Sequence, residues 1–296
     1  MDIVCVGHAC YDLIFQVPHH PSEDEKLSSS EHLSCGGGPA ANAAVAIARL
    51  GLTAEFIGYL GNDLYGDSHL AELQTEGVNT QQIQRGSIAT PVATLLVKPN
   101  GARTVVNYTE ASTILYADHA TLNSSNPPSV LLVDGHQPTI SAHLIKQAKQ
   151  LGVTTILDAG SLHAGTQQLM SEVDYLAVSE KFARQLTEQD DPHQALQQIR
   201  SLAANVIITC GERGLIWAQG KRSGSLPAFV VPVSDSTGAG DAFHGGLAVA
   251  LAEQQPWEDA LIYASAVAAL CCTTMGARPG MPTQAEITEF IKNPHL

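Results

Sequence analysis

Short apolar runs alternate with amphipathic segments along most of this chain. Residues 2–7, DIVCVG, form a β-branched-rich run closed by glycine, the pattern of a strand buried on both faces. Comparable runs recur at 54–60, 130–134, 153–158, 174–178 and 205–209. Between them, helix-period segments occupy 39–50, 66–76, 139–151, 180–187 and 192–203. Strand, helix, strand at this spacing predicts an α/β fold: a mostly parallel sheet covered by helices on both faces.

Two stretches break the alternation. Residues 90–108 read as two strands joined at Asn100-Gly101, a dipeptide that suits the tight turn of a hairpin. Residues 11–35 alternate weakly and carry the charged tract SEDEK. Both fit a small β-lid standing off the main sheet, and both also fit an ordinary edge hairpin. No repeat, low-complexity tract or linker divides the chain, so residues 1–296 are expected to form one domain with lid segments at about 11–35 and 90–108.

Charge narrows the choice of partner. Lys and Arg total 15 against 29 Asp and Glu, a formal net charge of −14. That balance opposes general affinity for nucleic acid or anionic membranes, so neither is expected as a partner. The opening MDIVCVGHACYD lacks the basic-then-apolar order of a signal peptide, and apolar runs fall short of the roughly 20 residues a span needs. The six cysteines, at 5, 10, 35, 210, 271 and 272, contain no CxxC pair, which suits a reduced, cytoplasmic protein.

The densest chemistry lies in DSTGAGDAFHGG, residues 235–246. The apolar run 242–254 that overlaps its end is helix-competent, so Gly238, Ala239, Gly240 and Asp241 stand where a helix begins. Free N–H groups and the helix dipole gather positive potential there, and glycines let an anion approach the backbone. Such a mouth suits phosphate. An acid at the same spot suits proton removal from a group attacking that phosphate, although Asp235 or Asp241 could also simply cap the helix. No lysine follows the glycines, which excludes a Walker A loop, and Phe243 breaks the GxGxxG dinucleotide fingerprint.

DSTGAGDAF resembles the DTTGAGDAF signature of the ribokinase or PfkB family of carbohydrate kinases, with Ser236 for the second-position threonine. A second family signature, GGGPAANAAVAIARLG followed by FIGYLGNDLYG, stands at 36–51 and 56–66, in the right order. The resemblance covers essentially the whole chain and implies an ATP-dependent, Mg²⁺-requiring sugar kinase with a ribokinase-like fold. By resemblance, Asp241 is the general base, and the amides of Gly238, Ala239 and Gly240 form the anion hole. Asp235 and Thr237 match positions that hold a monovalent cation such as K⁺. Asp12, Gly36, Gly37 and Asn42 match the sugar-binding positions, with a local turn hydrogen bond the other use for Asn42. Thr209, Gly211 and Gly214 look like the loop beside ATP, although a hairpin would also use those glycines.

The chain departs from the pattern at Ser179-Glu180-Lys181-Phe182, where many relatives carry NxxE to help order Mg²⁺. Serine there, with Glu180 as the substitute acid, is similar to ketohexokinases and sulfofructose kinases, as is the FHGGLAVALA helix. Lys26 and Asn107 are expected on the lid facing the sugar, His136 after the strand VLLVD, and Arg103 in the second lid strand, where Lys26 and Arg103 would otherwise be solvated charge. His244, one turn past Asp241, reads as a packed or solvent-facing residue. The expected reaction is phosphorylation of a primary hydroxyl of a small sugar, with ketoses such as fructose or a modified fructose leading the candidates, by a homodimer joined through the lid. A nucleoside kinase and a catalytically silent sugar or nucleotide sensor are the alternatives.

Overall fold

The computed structural model describes residues 2–110 and 114–292. The chain opens with β1 (Ile3–Val6), all four residues buried, then leaves the main sheet for the antiparallel pair β2 (Cys10–Gln16) and β3 (Glu31–Gly37). Helix α1 (Pro39–Arg49) leads to β4 (Ala54–Ile57), which pairs with β1 in parallel. Next come β5 (Tyr59–Gly61), α2 (Leu64–Thr75), β6 (Gln84–Gly86) and the hairpin β7 (Val92–Val97) and β8 (Arg103–Tyr108).

From β9 (Val130–Val133) the alternation is regular: α3 (Pro138–Leu151), β10 (Thr154–Ala159), α4 (Ala164–Leu169) and β11 (Tyr175–Ser179). It continues through α5 (Glu180–Thr187), α6 (Pro192–Ile199) and β12 (Asn205–Thr209). Strands β13 (Leu215–Gln219) and β14 (Arg222–Leu226) add an antiparallel edge. The last elements are α7 (Ala239–Ala252), α8 (Trp257–Cys271), α9 (Ala277–Gly280) and α10 (Gln284–Lys292).

The main sheet runs β14-β13-β12-β11-β10-β9-β1-β4 and is parallel from β12 to β4. Alternate residues of the same strands feed two cores. Ile3, Cys5 and Leu132 pack toward α1, α7 and α8, whereas Val4, Val6, Leu131 and Val133 pack toward α3 and its neighbours. A sheet buried on both faces explains why its strands are continuous apolar runs. Crossovers diverge between β1 and β9, the kind of switch point at which open sheets leave a crevice beyond their C-terminal ends.

A second sheet, β3-β2-β7-β8, stands over that end, built from the two stretches that broke the alternation. Its own small core includes Cys10, Ile14, Cys35, Ala93, Leu95 and Val97. The apolar run 54–60 is not one strand. It breaks at Gly58, where a Cβ would lie 2.2 Å from the Phe56 ring, and β5 pairs instead with β6. Helix α7 begins at Ala239, within the stretch where the sequence placed a helix start, which puts Gly240 and Asp241 in its first turn. Among the described residues no helix is long and apolar enough to cross a membrane.

Two glycines in the middle of α7 have a packing role. A Cβ on Gly245 would stand 2.9 Å from Ala46 Cβ of α1, and one on Gly246 would stand 2.9 Å from Val267 Cγ2 of α8. Helix α7 is therefore clamped between two helices at near backbone contact, which fixes where its N-terminus points. Gly246→Leu should destabilise the fold by about 1–3 kcal/mol, the usual cost of overpacking. An unchanged urea midpoint for this variant would show that α7 and α8 separate freely.

Candidate functional site

The site begins at the mouth of α7. Gly238, the N-cap residue, has a left-handed backbone (φ 78°), and a Cβ there would lie 2.4 Å from Ala277 Cβ. Glycine is thus required twice, by conformation and by space. Ala239 N donates to Ser236 O at 3.4 Å, whereas among the described residues the amides of Gly238 and Gly240 meet no acceptor. Nothing outside the helix's own backbone and the adjoining residues stands within 4 Å of where a Gly240 Cβ would be, so the space beside this glycine is open. These are the unpaired donors expected of a helix mouth.

Beside them lies the Asp241 carboxylate. Its Oδ2 accepts a 2.7 Å hydrogen bond from Asn42 Nδ2 of α1, a partner 199 residues away in sequence. Burial pushes the Asp241 carboxyl up to about 6, and the Asp158 charge adds to this; Asn42, His244 and Arg103 act in the opposite direction. Asp235 lies beneath, fully buried. Its Oδ1 accepts from Thr237 N (2.9 Å) and Thr237 Oγ1 (2.7 Å), and its Oδ2 from Gly276 N (2.9 Å).

Asp12, on β2, faces the mouth from the small sheet. Cys10 Sγ donates to its Oδ1 at 3.1 Å, and among the described residues no donor reaches its Oδ2. Burial raises this carboxyl to about 6, with the Asp241 charge contributing. Gly37 packs on it so closely that a Cβ would sit 2.2 Å from Asp12 Oδ2. Gly36 is backed by a buried polar cluster. Its N–H donates to Glu72 Oε2 (2.6 Å), Glu72 pairs with Arg278 Nη1 at 3.0 Å, and Arg278 also donates to His69. Burial and the Arg278 charge hold His69 well below the usual imidazole range.

The floor of the cleft is organised by Asp134, directly after β9. Its Oδ2 accepts from His8 N (2.7 Å) and Ala40 N (3.2 Å), and its Oδ1 from His136 N (2.9 Å). The ring of His136 then stands between those of His8 and His163, at centroid separations of 5.0 and 4.7 Å. Burial and the neighbouring His136 push His8 down to about 3. Under the Asp241 end, Asp158 at the close of β10 forms a buried ion pair with His244, Oδ2 to Nδ1, at 3.0 Å. His244 is packed, as its sequence position suggested. Asp134 and Asp158 were visible only as acids ending apolar runs, a pattern that turns share.

Other expected residues lie elsewhere or are already engaged. Arg103 reaches the mouth, donating from Nη1 to Ser236 Oγ at 2.6 Å. Asn107 is an exposed residue of β8 paired opposite Ala93, and Lys26 is exposed in the segment between β2 and β3. Thr209, Gly211 and Gly214 bound the β12–β13 turn, where a Cβ on Gly214 would strike Leu226 O at 2.0 Å. Ser179 Oγ caps α5 through Phe182 N (3.0 Å) and donates to Gly160 O (2.9 Å), while Glu180 is ion-paired with Arg213. Ser179 and Glu180 are thus both engaged by neighbouring protein groups. Among the described residues no cluster of three or more His, Cys, Asp or Glu side chains could hold a metal.

Comparison with known proteins agrees with this geometry. A family model described as pfkB family carbohydrate kinase matches residues 1–284. A ribokinase of Bacillus subtilis is 29% identical over 294 residues, covering 98% of this chain and 99% of that protein. Fructokinase-2 of Oryza sativa is 30% identical over 285 residues, covering 86% of this chain and 84% of its own. The Arabidopsis thaliana ribokinase solved with ribose and ATP superposes with a TM-score of 0.83 at 25% identity, covering 98% of both chains.

The contact of Gly37 with Asp12 gives a test of the cleft. Gly37→Ala should raise the KM for the acceptor at least about tenfold, since a displaced Asp12 loses a hydrogen bond to a charged group, and leave the KM for ATP nearly unchanged. Equal effects on both would place Gly37 outside the acceptor site.

Proposed function

We propose that this chain, which belongs to the pfkB family of carbohydrate kinases and is a sugar kinase, transfers the γ-phosphate of ATP to a primary hydroxyl of a small sugar, with ketohexoses such as fructose as the favoured class. The observation that carries the reading is Asp241 itself: a carboxylate held by Asn42 beside unpaired amides at a helix mouth. Fructokinase relatives at 30% identity support the ketose.

In this reading Asp12 accepts hydrogen bonds from sugar hydroxyls and turns one hydroxyl toward Asp241. Asp241 takes its proton as that oxygen attacks phosphorus. The amides of Gly238 and Gly240, with Ala239 beside them, stabilise the charge on the transferred group, in a reaction that depends mainly on positioning and electrostatics. Magnesium would be supplied as part of the nucleotide's own complex, where it would offset charge on the phosphates. Asp235, a buried carboxylate contacted only by amide and hydroxyl donors, fits a monovalent cation held with Thr237 beneath the anion hole. The β12–β13 turn with Thr209, Gly211 and Gly214 is assigned to the nucleotide. The small sheet acts as a lid that keeps water from the reacting phosphate.

The testing experiment is ADP release from Mg-ATP with fructose, other ketoses, ribose, sulfofructose, phosphosugars and adenosine as acceptors. A ketose should give the highest rate, and Asp241→Asn should lower turnover by about 100-fold or more with ATP affinity retained. Near-wild-type turnover in that variant would reduce Asp241 to a helix cap. Phosphorylation of adenosine alone, or ATP binding without turnover on any acceptor, would overturn the sugar-kinase assignment for this site. Equal rates in potassium and choline salts would remove the cation.

The lid also supports a homodimer. Strand β8 is an edge strand whose six residues are all exposed, with Val106 65% and Tyr108 61% accessible. Unpaired edges of this kind invite pairing, and we assign a second copy of the chain as the occupant. Light scattering should find a dimer at micromolar concentration, and Val106→Lys should give monomer. A monomeric wild type would refute the assignment.

A further inference from the structure

We propose that the buried His244–Asp158 ion pair sets the protonation of Asp241 from below, which makes both residues positioning residues for phosphoryl transfer. The proposal rests on the reading of Asp241 as the base. His244 follows Asp241 by three positions on α7, so the two side chains share a helix face. It is 4% exposed, and Asp158, at the end of β10, is 5% exposed. Their 3.0 Å contact is one of the most deeply buried ion pairs of the described residues. Asp158 is also anchored by its own turn, Oδ1 accepting from Gly160 N at 3.1 Å.

An apolar pair would fill this space at lower cost, because desolvating two charges consumes most of their attraction. Three ionisable groups in one low-dielectric pocket explain what the pair accomplishes. Two carboxylates there without a cation could not both stay ionised, and one would hold a proton at neutral pH. A protonated His244 without Asp158 would hold Asp241 so firmly ionised that it became a poor proton acceptor. The pair balances these demands. The directions agree: Asp158 raises the Asp241 carboxyl and His244 lowers it, while Asp158 and Asp241 together hold the His244 imidazole above its usual range despite burial.

Other polar and ionisable groups also face Asp241 from the elements packed around it. Asn42 approaches from α1 and Arg103 from β8. Asp12 and Cys10 on β2 and Cys271 on α8 all feel the Asp241 charge, and Asp134 after β9 feels that of Asp158. Among the described residues around Asp241, Asp158 and His244 stand 3.0 Å apart, Oδ2 to Nδ1, a separation at which a protonated imidazole pairs with the carboxylate.

The test is the pH profile of kcat/KM for the wild type, His244→Gln, Asp158→Asn and the double variant. The acid limb reports the base in the free enzyme. His244→Gln should move that limb to higher pH and Asp158→Asn to lower pH, each by at least about half a pH unit, with the double variant between them. A packing defect lowers activity but does not shift two limbs in opposite directions. Superimposable profiles, or shifts of one sign, overturn the proposal. Loss of turnover in Asp241→Asn alongside superimposable profiles isolates the failure to the pair, whereas full turnover in Asp241→Asn removes the base itself. NMR titration of the His244 imidazole in the unmodified protein stands independently of variant folding. A protonated ring at pH 7 is expected, and a neutral ring at pH 6 overturns the proposal.

Discussion

Asp134 accepts backbone N–H groups from three separate segments, at His8, Ala40 and His136, where the crossovers diverge to opposite sides of the sheet. A buried carboxylate without such donors would be strongly unfavourable, so the three segments are held together by its need for satisfaction. Ala40 lies in the first turn of α1, two residues before Asn42. Fixing Ala40 fixes Asn42, and Asn42 holds Asp241 from across the cleft. Asp241 leads through His244 to Asp158, whose charge is felt again at Asp134. The acids of the site thus form a ring in which each position depends on the next.

The charge economy of the cleft is unusual for a site that receives a polyphosphate. The chain carries a formal −14, and Asp12, Asp134, Asp158, Asp235 and Asp241 all gather near the C-terminal edge of the sheet. In the proposed reading, attraction for an anion there comes from the amides at the mouth of α7 and from Arg103, which reaches Ser236 beside it. Amides are fixed by the backbone and need no desolvation of a mobile cation, which favours a charge that appears only in the transition state.

Much of this was legible in the sequence, for identifiable reasons. Parallel strands buried on both faces write themselves as uninterrupted apolar runs, so the main sheet could be read directly. Asp241 and Asn42 both stood out in glycine-rich motifs, though nothing in their spacing told that they would meet at 2.7 Å. The break at Gly58 was hidden because both β4 and β5 are apolar; what separates them is the Phe56 ring, a neighbour in space. Gly245 and Gly246 fell inside a run read as helix despite them, and the reason for glycine there, the approach of α1 and α8, lies in space rather than in the run itself. Asp158 and Arg278 escaped because the signal for a buried charge is its partner, and His244 and Glu72 lie far away in the chain.

The small sheet is more than a cover. Asp12 and Gly37 belong to β2 and β3, strands of that sheet, while Asp241 and the free amides belong to the main body. In the proposed reading, half of the acceptor site is therefore carried on the small sheet and half on the main body. Changes that retune which acceptor is held will also retune how the lid seats, so the two properties are inherited together. A lid transplanted from a relative would bring its own acceptor preference with it.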